Sequence, residues 1–179
     1  LVTDAEAAVY HAAPGRLRTG GVLAVYDLGG GGFEATIVRT RPEGPEILGT
    51  PEGVDEFGGL DVDEAILSYV DDAVGGALAR LDVDDARTAV ALARLRHDCV
   101  LAKENLSLDT ETVVPVFFPG RHFEIKLNRT TLDQILRSRV DSTVDALSRA
   151  VRSAGLTAAD VDAVLLIGGS SRIPLVLET

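Results

Sequence analysis

Two apolar runs, Val22 to Leu28 and Val161 to Ile167, each stop abruptly at glycines: Gly29 to Gly32 after the first, Gly168 and Gly169 after the second. Short continuous apolar runs of this kind predict buried strands. Phe33 to Arg39 alternates apolar and polar side chains, so the first glycine run joins two strands, and strands joined by a short turn are antiparallel neighbours. Pro45 to Thr50 predicts a third strand. From Asp61 to Leu81 apolar residues recur at helical spacing (Ile66, Tyr69, Val70, Ala73, Val74), and a longer helix is predicted over Asp84 to Ser107. Val113 to Phe118 and Phe123 to Leu127 read as a hairpin across Pro119-Gly120. Thr130 to Ser153 carries one apolar stripe, Leu132, Leu136, Val140, Val144, Leu147 and Val151. Thr130 with Asp133 resembles a capping box at its start, and Gly155 stops it. Thr157 and Asp160 repeat the capping pattern before the last strand, and Pro174 suits the first turn of a closing helix. Asp4 to Ala13 predicts a short helix ended by Pro14-Gly15.

Strands come first, then helices with a small hairpin, then a strand returning to the first set. That order predicts an α/β fold with a small inserted α+β subdomain. Residues 1–53 with 129–179 form the base, and residues 54–128 form the insertion. The chain has 179 residues, 46% of them hydrophobic and only 4% aromatic, so the core is built from Ala, Val, Leu and Ile. The net charge of -11 speaks against a nucleic-acid partner. No apolar run approaches the roughly 20 residues that span a bilayer, so no membrane contact is expected from this segment. The single cysteine, Cys99, forms no internal disulfide and suits a reducing, cytoplasmic setting. The absence of methionine reads as a piece of a longer protein. Lysine occurs only at Lys103 and Lys126 among many arginines, a bias of GC-rich bacterial genomes.

The glycines carry the candidate chemistry. Asp27-Leu28-Gly29-Gly30-Gly31-Gly32 lacks the Gly-Lys-Ser/Thr of a P-loop. It also opens a strand, where a Rossmann loop opens a helix. Two readings remain: a plain glycine hairpin, or a hairpin whose backbone N–H groups cradle phosphates while Asp27 holds magnesium through water. Gly168-Gly169-Ser170-Ser171-Arg172 is either a strand-to-helix turn or a seat for a nucleotide's sugar or base, with Arg172 stacking on the base. On the predicted helix through Arg94 to Ser107, Lys103 and Ser107 lie four apart and share a face. The histidines (His11, His97, His122) have no metal-ligand spacing, and no Ser/His/Asp arrangement is legible. Ten acidic residues and no basic one fall between Arg41 and Arg80. The ordinary reading is a solvated face, with a magnesium-facing role for one or two of them as the rival.

Taken together, Asp27 to Glu34, Phe57-Gly58-Gly59-Leu60-Asp61, Arg94 to Ser107 and Gly168 to Pro174 resemble the seventy-kilodalton heat-shock chaperones, of the actin-like ATPase superfamily. Asp4 to Ala8 resembles the helix before the second phosphate loop of that family. The resemblance implies an actin-like ATPase (ribonuclease H-like) lobe with a mixed sheet, the second of two that enclose ATP or ADP with Mg2+. It implies phosphate contacts from Gly29, Gly30, Gly31 and Gly32, a nucleotide contact from Gly59, and a metal role for Asp27. It implies adenosine contacts from Lys103, Ser107, Gly168, Gly169, Ser170 and Arg172. The first lobe, with the catalytic lysine, would precede Leu1, and a peptide-binding domain would follow Thr179. No catalytic residue is therefore assigned here. In such a parent, unfolded peptides and co-chaperones are the partners.

The chain departs from the family pattern at Gly32 (usually threonine), Glu34 (usually aspartate), Leu60 (usually acidic), Val100 (usually glutamate) and Ser171 (usually threonine). The changes at Gly32, Leu60 and Val100 weaken the expectation of tight ATP binding and efficient hydrolysis. They support a rival, a non-hydrolysing interaction or regulatory module. A sugar kinase of the same superfamily is a further alternative, disfavoured by the Arg-x-x-Cys-x-x-Ala-Lys pattern at Arg96 to Lys103.

Overall fold

The apolar run Val22–Leu28 becomes strand β1 in the computed structural model, which describes residues 3–12, 18–55, 57–82, 84–118 and 120–179. The expected helix stop at Pro14-Gly15 and the turn residue Pro119 lie outside the described residues. β1 pairs antiparallel with β2 (Phe33–Arg39), Leu28 opposite Phe33. β2 pairs antiparallel with β3 (Glu46–Val54). On its other edge β1 pairs parallel with β6 (Ala163–Ile167), Asp27 opposite Ile167. The mixed sheet therefore runs β3-β2-β1-β6. As an interior strand, β1 buries both of its faces, and only Asp27 is partly open. On one face Leu23 and Val25 pack with Ala5 and Val9 of helix α1 (Asp4–Ala12). On the other, Tyr26 reaches helix α4 (Arg129–Ser153), where its hydroxyl lies 2.6 Å from Thr143 Oγ. Thr143 sends its own proton to the Val140 carbonyl, also at 2.6 Å, so the tyrosine is the donor.

β3 runs four residues beyond the expected stop at Thr50. Phe33 opposite Val54 holds that extension, after a register irregularity near Ala35. The extension delivers Phe57-Gly58-Gly59 to the glycine loop. The last strand is shorter than expected, Ala163–Ile167, and it is not a buried one: as an edge strand it leaves Val164 51% exposed. An apolar run reads alike for an interior and an edge strand, which is why periodicity misplaced it.

The chain divides into two compact units, Leu1–Gly59 with Ser138–Thr179, and Leu60–Arg137. The smaller holds most of helix α2 (Gly59–Ala73), helix α3 (Ala86–Leu108) and the two-stranded sheet of β4 (Glu111–Phe118) and β5 (Arg121–Asn128). Its core combines Val62, Ile66 and Val70 with Leu95, Cys99, Ala102 and Leu106, at spacings of one helix face each. Val114, Val116 and Leu127 add the sheet's buried face.

Three helix details differ from expectation. α2 ends at Ala73, not Leu81, because Gly75 and Gly76 take φ of +72° and +69°, a left-handed stop that glycine makes cheap. Only a 3-10 turn, Leu78–Arg80, follows. α4 is capped by Asn128, whose Oδ1 accepts the Thr131 amide at 2.8 Å, not by Thr130 with Asp133. Along α4 the buried positions drift from the expected stripe to Thr143, Ala146 and Ala150, leaving Val144 and Leu147 half-buried. The capping box at Thr157 and Asp160 and the helix opened by Pro174, α5 (Pro174–Glu178), form as expected.

The buried Tyr26–Thr143 pair makes an asymmetric prediction. Tyr26→Phe removes a donor and should cost about 1 kcal/mol. Thr143→Val strands the buried phenol without its acceptor and should cost more, up to about 3 kcal/mol. Urea unfolding of both variants checks this; equal losses, or a larger loss for Tyr26→Phe, contradict the assignment.

Candidate nucleotide-binding site

The Leu28–Phe33 pair closes a four-residue loop, Gly29 to Gly32, in which the Gly29 amide donates to the Gly32 carbonyl at 3.0 Å. None of these glycines has a left-handed φ. A Cβ built on Gly30, Gly31 or Gly32 would meet no protein atom within 4 Å, and one on Gly29 would make only ordinary contacts. The protein's own packing does not demand glycine there. What the missing side chains leave is a bare stretch of backbone facing open space, the geometry that lets N–H groups approach an anion.

Asp27 sits just before the loop, partly buried. Its carboxyl is pushed above the usual aspartate range, first by burial and then by the carboxylates of Asp4 and Glu34. The second glycine turn lies against it. Gly168 has φ +82° and ψ 149°, and a Cβ there would overlap the Leu28 carbonyl and come within 2.8 Å of Asp27 Oδ1. Gly168 is thus glycine for two internal reasons, conformation and contact. Gly169 has neither, since its Cβ would meet nothing within 4 Å. Within the larger unit the structure therefore brings Asp27, Gly29 to Gly32, Gly59 and Gly168 to Arg172 to one end of β1 and β6. Ser170 and Ser171 are buried, and Ser171 Oγ donates to the Gly168 carbonyl at 2.7 Å, bracing the turn from inside. Arg172 is exposed. Beside the turn lies a depression of about 580 Å3, lined by Ile167, Gly168, Gly169, Arg172 and Leu177, within the range of small-molecule sites.

In the smaller unit, Lys103 Nζ lies 2.8 and 3.0 Å from the two carboxylate oxygens of Asp63, with both side chains mostly buried. Ser107 Oγ donates back to the Lys103 carbonyl at 3.1 Å. Cys99 is fully buried, and burial pushes its thiol up to about 12, so it is an inert part of the core. The acidic run finds cations outside itself: Glu46 pairs with Arg41, Glu52 with Arg149, Glu64 with Arg96 and Asp63 with Lys103. Among the described residues no group of three His, Cys, Asp or Glu side chains is placed to hold a metal. One carboxylate beside a bare glycine backbone still fits Mg2+, which keeps several waters and binds through one or two carboxylates plus phosphate oxygens.

Asp63 and the internal roles of Gly58 and Gly168 were not foreseen from the sequence. Only the doubled glycine at 58–59 left a trace in the sequence. The partner of Lys103 is forty positions away, on another helix, and one of many acids.

The strained ionisation of Asp27 has a measurable sign. A carboxyl whose folded pKa is raised contributes stability only while protonated and loses it as pH rises through the folded pKa. Asp27→Asn should therefore melt higher than the parent at pH 7, and the gap should close on acidification to about 4, the pKa of an unperturbed aspartate. Thermal melts across that range check it; a variant that melts lower at neutral pH contradicts the cost that burial, with Asp4 and Glu34, places on the ionised carboxylate.

A family model described as Hsp70 protein matches residues 13–179, nearly the whole chain. Members of that family are chaperones with ATPase domains of the actin-like α/β fold, which bind ATP or ADP with Mg2+ and work on peptide substrates with co-chaperones. The mixed sheet with its second small sheet has that architecture. The chain belongs to the Hsp70 protein family.

Proposed function

We propose that this chain is the second, C-terminal lobe of the ATP-binding domain of a divergent heat-shock-type chaperone, supplying phosphate and adenosine contacts. The observation that carries the reading is the Gly30 to Gly32 backbone, glycine where neither conformation nor packing asks for it, beside a carboxylate. In this reading Gly29 to Gly32 hold phosphate, Gly59 contributes to the nucleotide site, and Asp27 orients magnesium-bound water. Bound Mg2+ supplies charge neutralisation at the phosphates. Lys103, Ser107, Gly168, Gly169, Ser170 and Arg172 hold adenosine, Lys103 with its ammonium set by Asp63. Residues 54–128 act as an inserted subdomain on a base of residues 1–53 and 129–179, and the protein works in a bacterial cytoplasm. Among the described residues no helix is long and apolar enough to cross a membrane.

A non-hydrolysing interaction module is the second reading. Leu60 favours it: where the family carries an acid, this chain presents a leucine 66% exposed. Gly32 brings no hydroxyl to the loop, and Val100 brings no carboxylate to its helix.

Two measurements test the proposal. The chain alone should bind ADP with millimolar affinity, about -4 kcal/mol, and Gly31→Ala should lose that binding while unfolding within about 0.5 kcal/mol of the parent, since its Cβ fills only the cradle. Unchanged ADP affinity in a folded Gly31→Ala variant contradicts the phosphate role. Phosphate release from ATP should stay at background, because no catalytic group is assigned here; robust Mg2+-dependent turnover by this chain contradicts that assignment.

A further inference from the structure

We propose that Gly58 is the positioning residue of the glycine loop, fixing the direction of its amides through its bare Cα without touching ligand. The inference rests on reading Gly29 to Gly32 as the phosphate cradle. A Cβ on Gly58 would stand 2.5 Å from Gly32 N, 2.6 Å from Gly30 O and 2.8 Å from Gly30 C. All three are main-chain atoms, which cannot swing aside as the end of a flexible side chain does. Gly58 has no left-handed φ, so contact and not conformation is what requires glycine.

The loop needs such a support. Four successive glycines have no side chains to pack, and glycine loses more conformational freedom on ordering than any other residue. Besides the bond from Gly29 to Gly32, the loop is held by the next residue of the same turn: the Gly59 amide donates to the Gly29 carbonyl at 2.9 Å. The turn itself is anchored by Phe57, 1% exposed, with the Arg139 guanidinium 6.0 Å from its ring centroid. Gly58 thus lies flat against one side of the loop, while the positions a Cβ would take on Gly30, Gly31 and Gly32 stay open. Donors aimed before the anion arrives need no reorganisation when it binds, which is how a loop without side chains gains affinity.

The test compares amide NMR spectra of the nucleotide-free chain and its Gly58→Ala variant, then titrates each with ADP and with adenosine. The expected result is a shift of the Gly29 to Gly32 amides before any ligand is added, with the rest of the spectrum in place. ADP affinity should then fall about tenfold while adenosine affinity holds, a split that general destabilisation would not produce. Gly30 to Gly32 amides that keep their parent positions overturn the proposal whatever ADP does. Failure of ADP to bind the parent chain removes the phosphate reading, and the ligand-free comparison still decides the brace. A Gly58→Ala chain that does not fold passes the decision to the parent protein's Gly59 amide. The first N–H of a helix has no intrahelical partner. Protection of that amide from hydrogen exchange is therefore expected from its bond to Gly29, and exchange at the free-peptide rate overturns the proposal.

Discussion

β1 is paired on both edges, antiparallel to β2 and parallel to β6, and the placement of the glycine turns in the larger unit depends on that double pairing. With the β2–β3 pairing, it places the ends of all four strands at one end of the sheet: the Leu28–Phe33 closure, the Phe33–Val54 step and the Asp27–Ile167 pair. From those ends emerge the glycine loop, the Phe57-Gly58-Gly59 turn and the Gly168 turn. The tightest point is where Gly168 meets the Leu28 carbonyl, an approach no side chain permits. A substituent there would pry β6 from β1 and move Asp27 with it. Helices α1 and α4 then cover the two faces, through Ala5 and Val9 on one side and Thr143 on the other.

The glycines sort into two physical kinds, and the distinction organises the site. Gly58 and Gly168 are required from within, because backbone or carboxylate atoms occupy the space of their missing Cβ. Gly30, Gly31, Gly32 and Gly169 are not, and the space beside each is open, the geometry that lets a ligand reach main-chain N–H groups. Asp27 carries the complementary cost. It is held partly buried near Asp4 and Glu34, and burial first, then those two carboxylates, raise its pKa. A partly buried carboxyl with a raised pKa is the pattern of a candidate functional site.

Strands β1 and β2 were legible to the residue, because an interior apolar run and an alternating one are both bounded by glycine. The antiparallel β1–β2 pairing and the capping box at Thr157 followed from local patterns as well, and the mixed sheet from the family resemblance. Features set by tertiary contact were less legible. β3 outran its apolar run because pairing with Phe33 and Glu34 continued past it. α2 stopped at two left-handed glycines that a helical count alone passes over. Asn128 won the α4 cap from Thr130 and Asp133, since neighbouring polar residues offer competing caps and geometry decides. In the site, the glycine runs and Lys103 were visible as motifs. Asp63 was not, because nothing in an acidic run says which member lies beside a lysine forty positions on. The internal duties of Gly58 and Gly168 were invisible because a glycine's neighbours in space leave no mark in its sequence.

The central claim is that the bare backbone at the end of β1 receives the phosphates of an adenine nucleotide. Mapping amide shifts of the isotope-labelled chain on addition of Mg2+ and ADP tests it most directly. The account predicts that the earliest and largest shifts fall on Gly29 to Gly32, with Asp27 and Gly169 responding in the same titration. A folded chain whose glycine-loop amides stay still while others shift, or in which none shift at ADP concentrations of about 10 mM, several times a millimolar Kd, would contradict it.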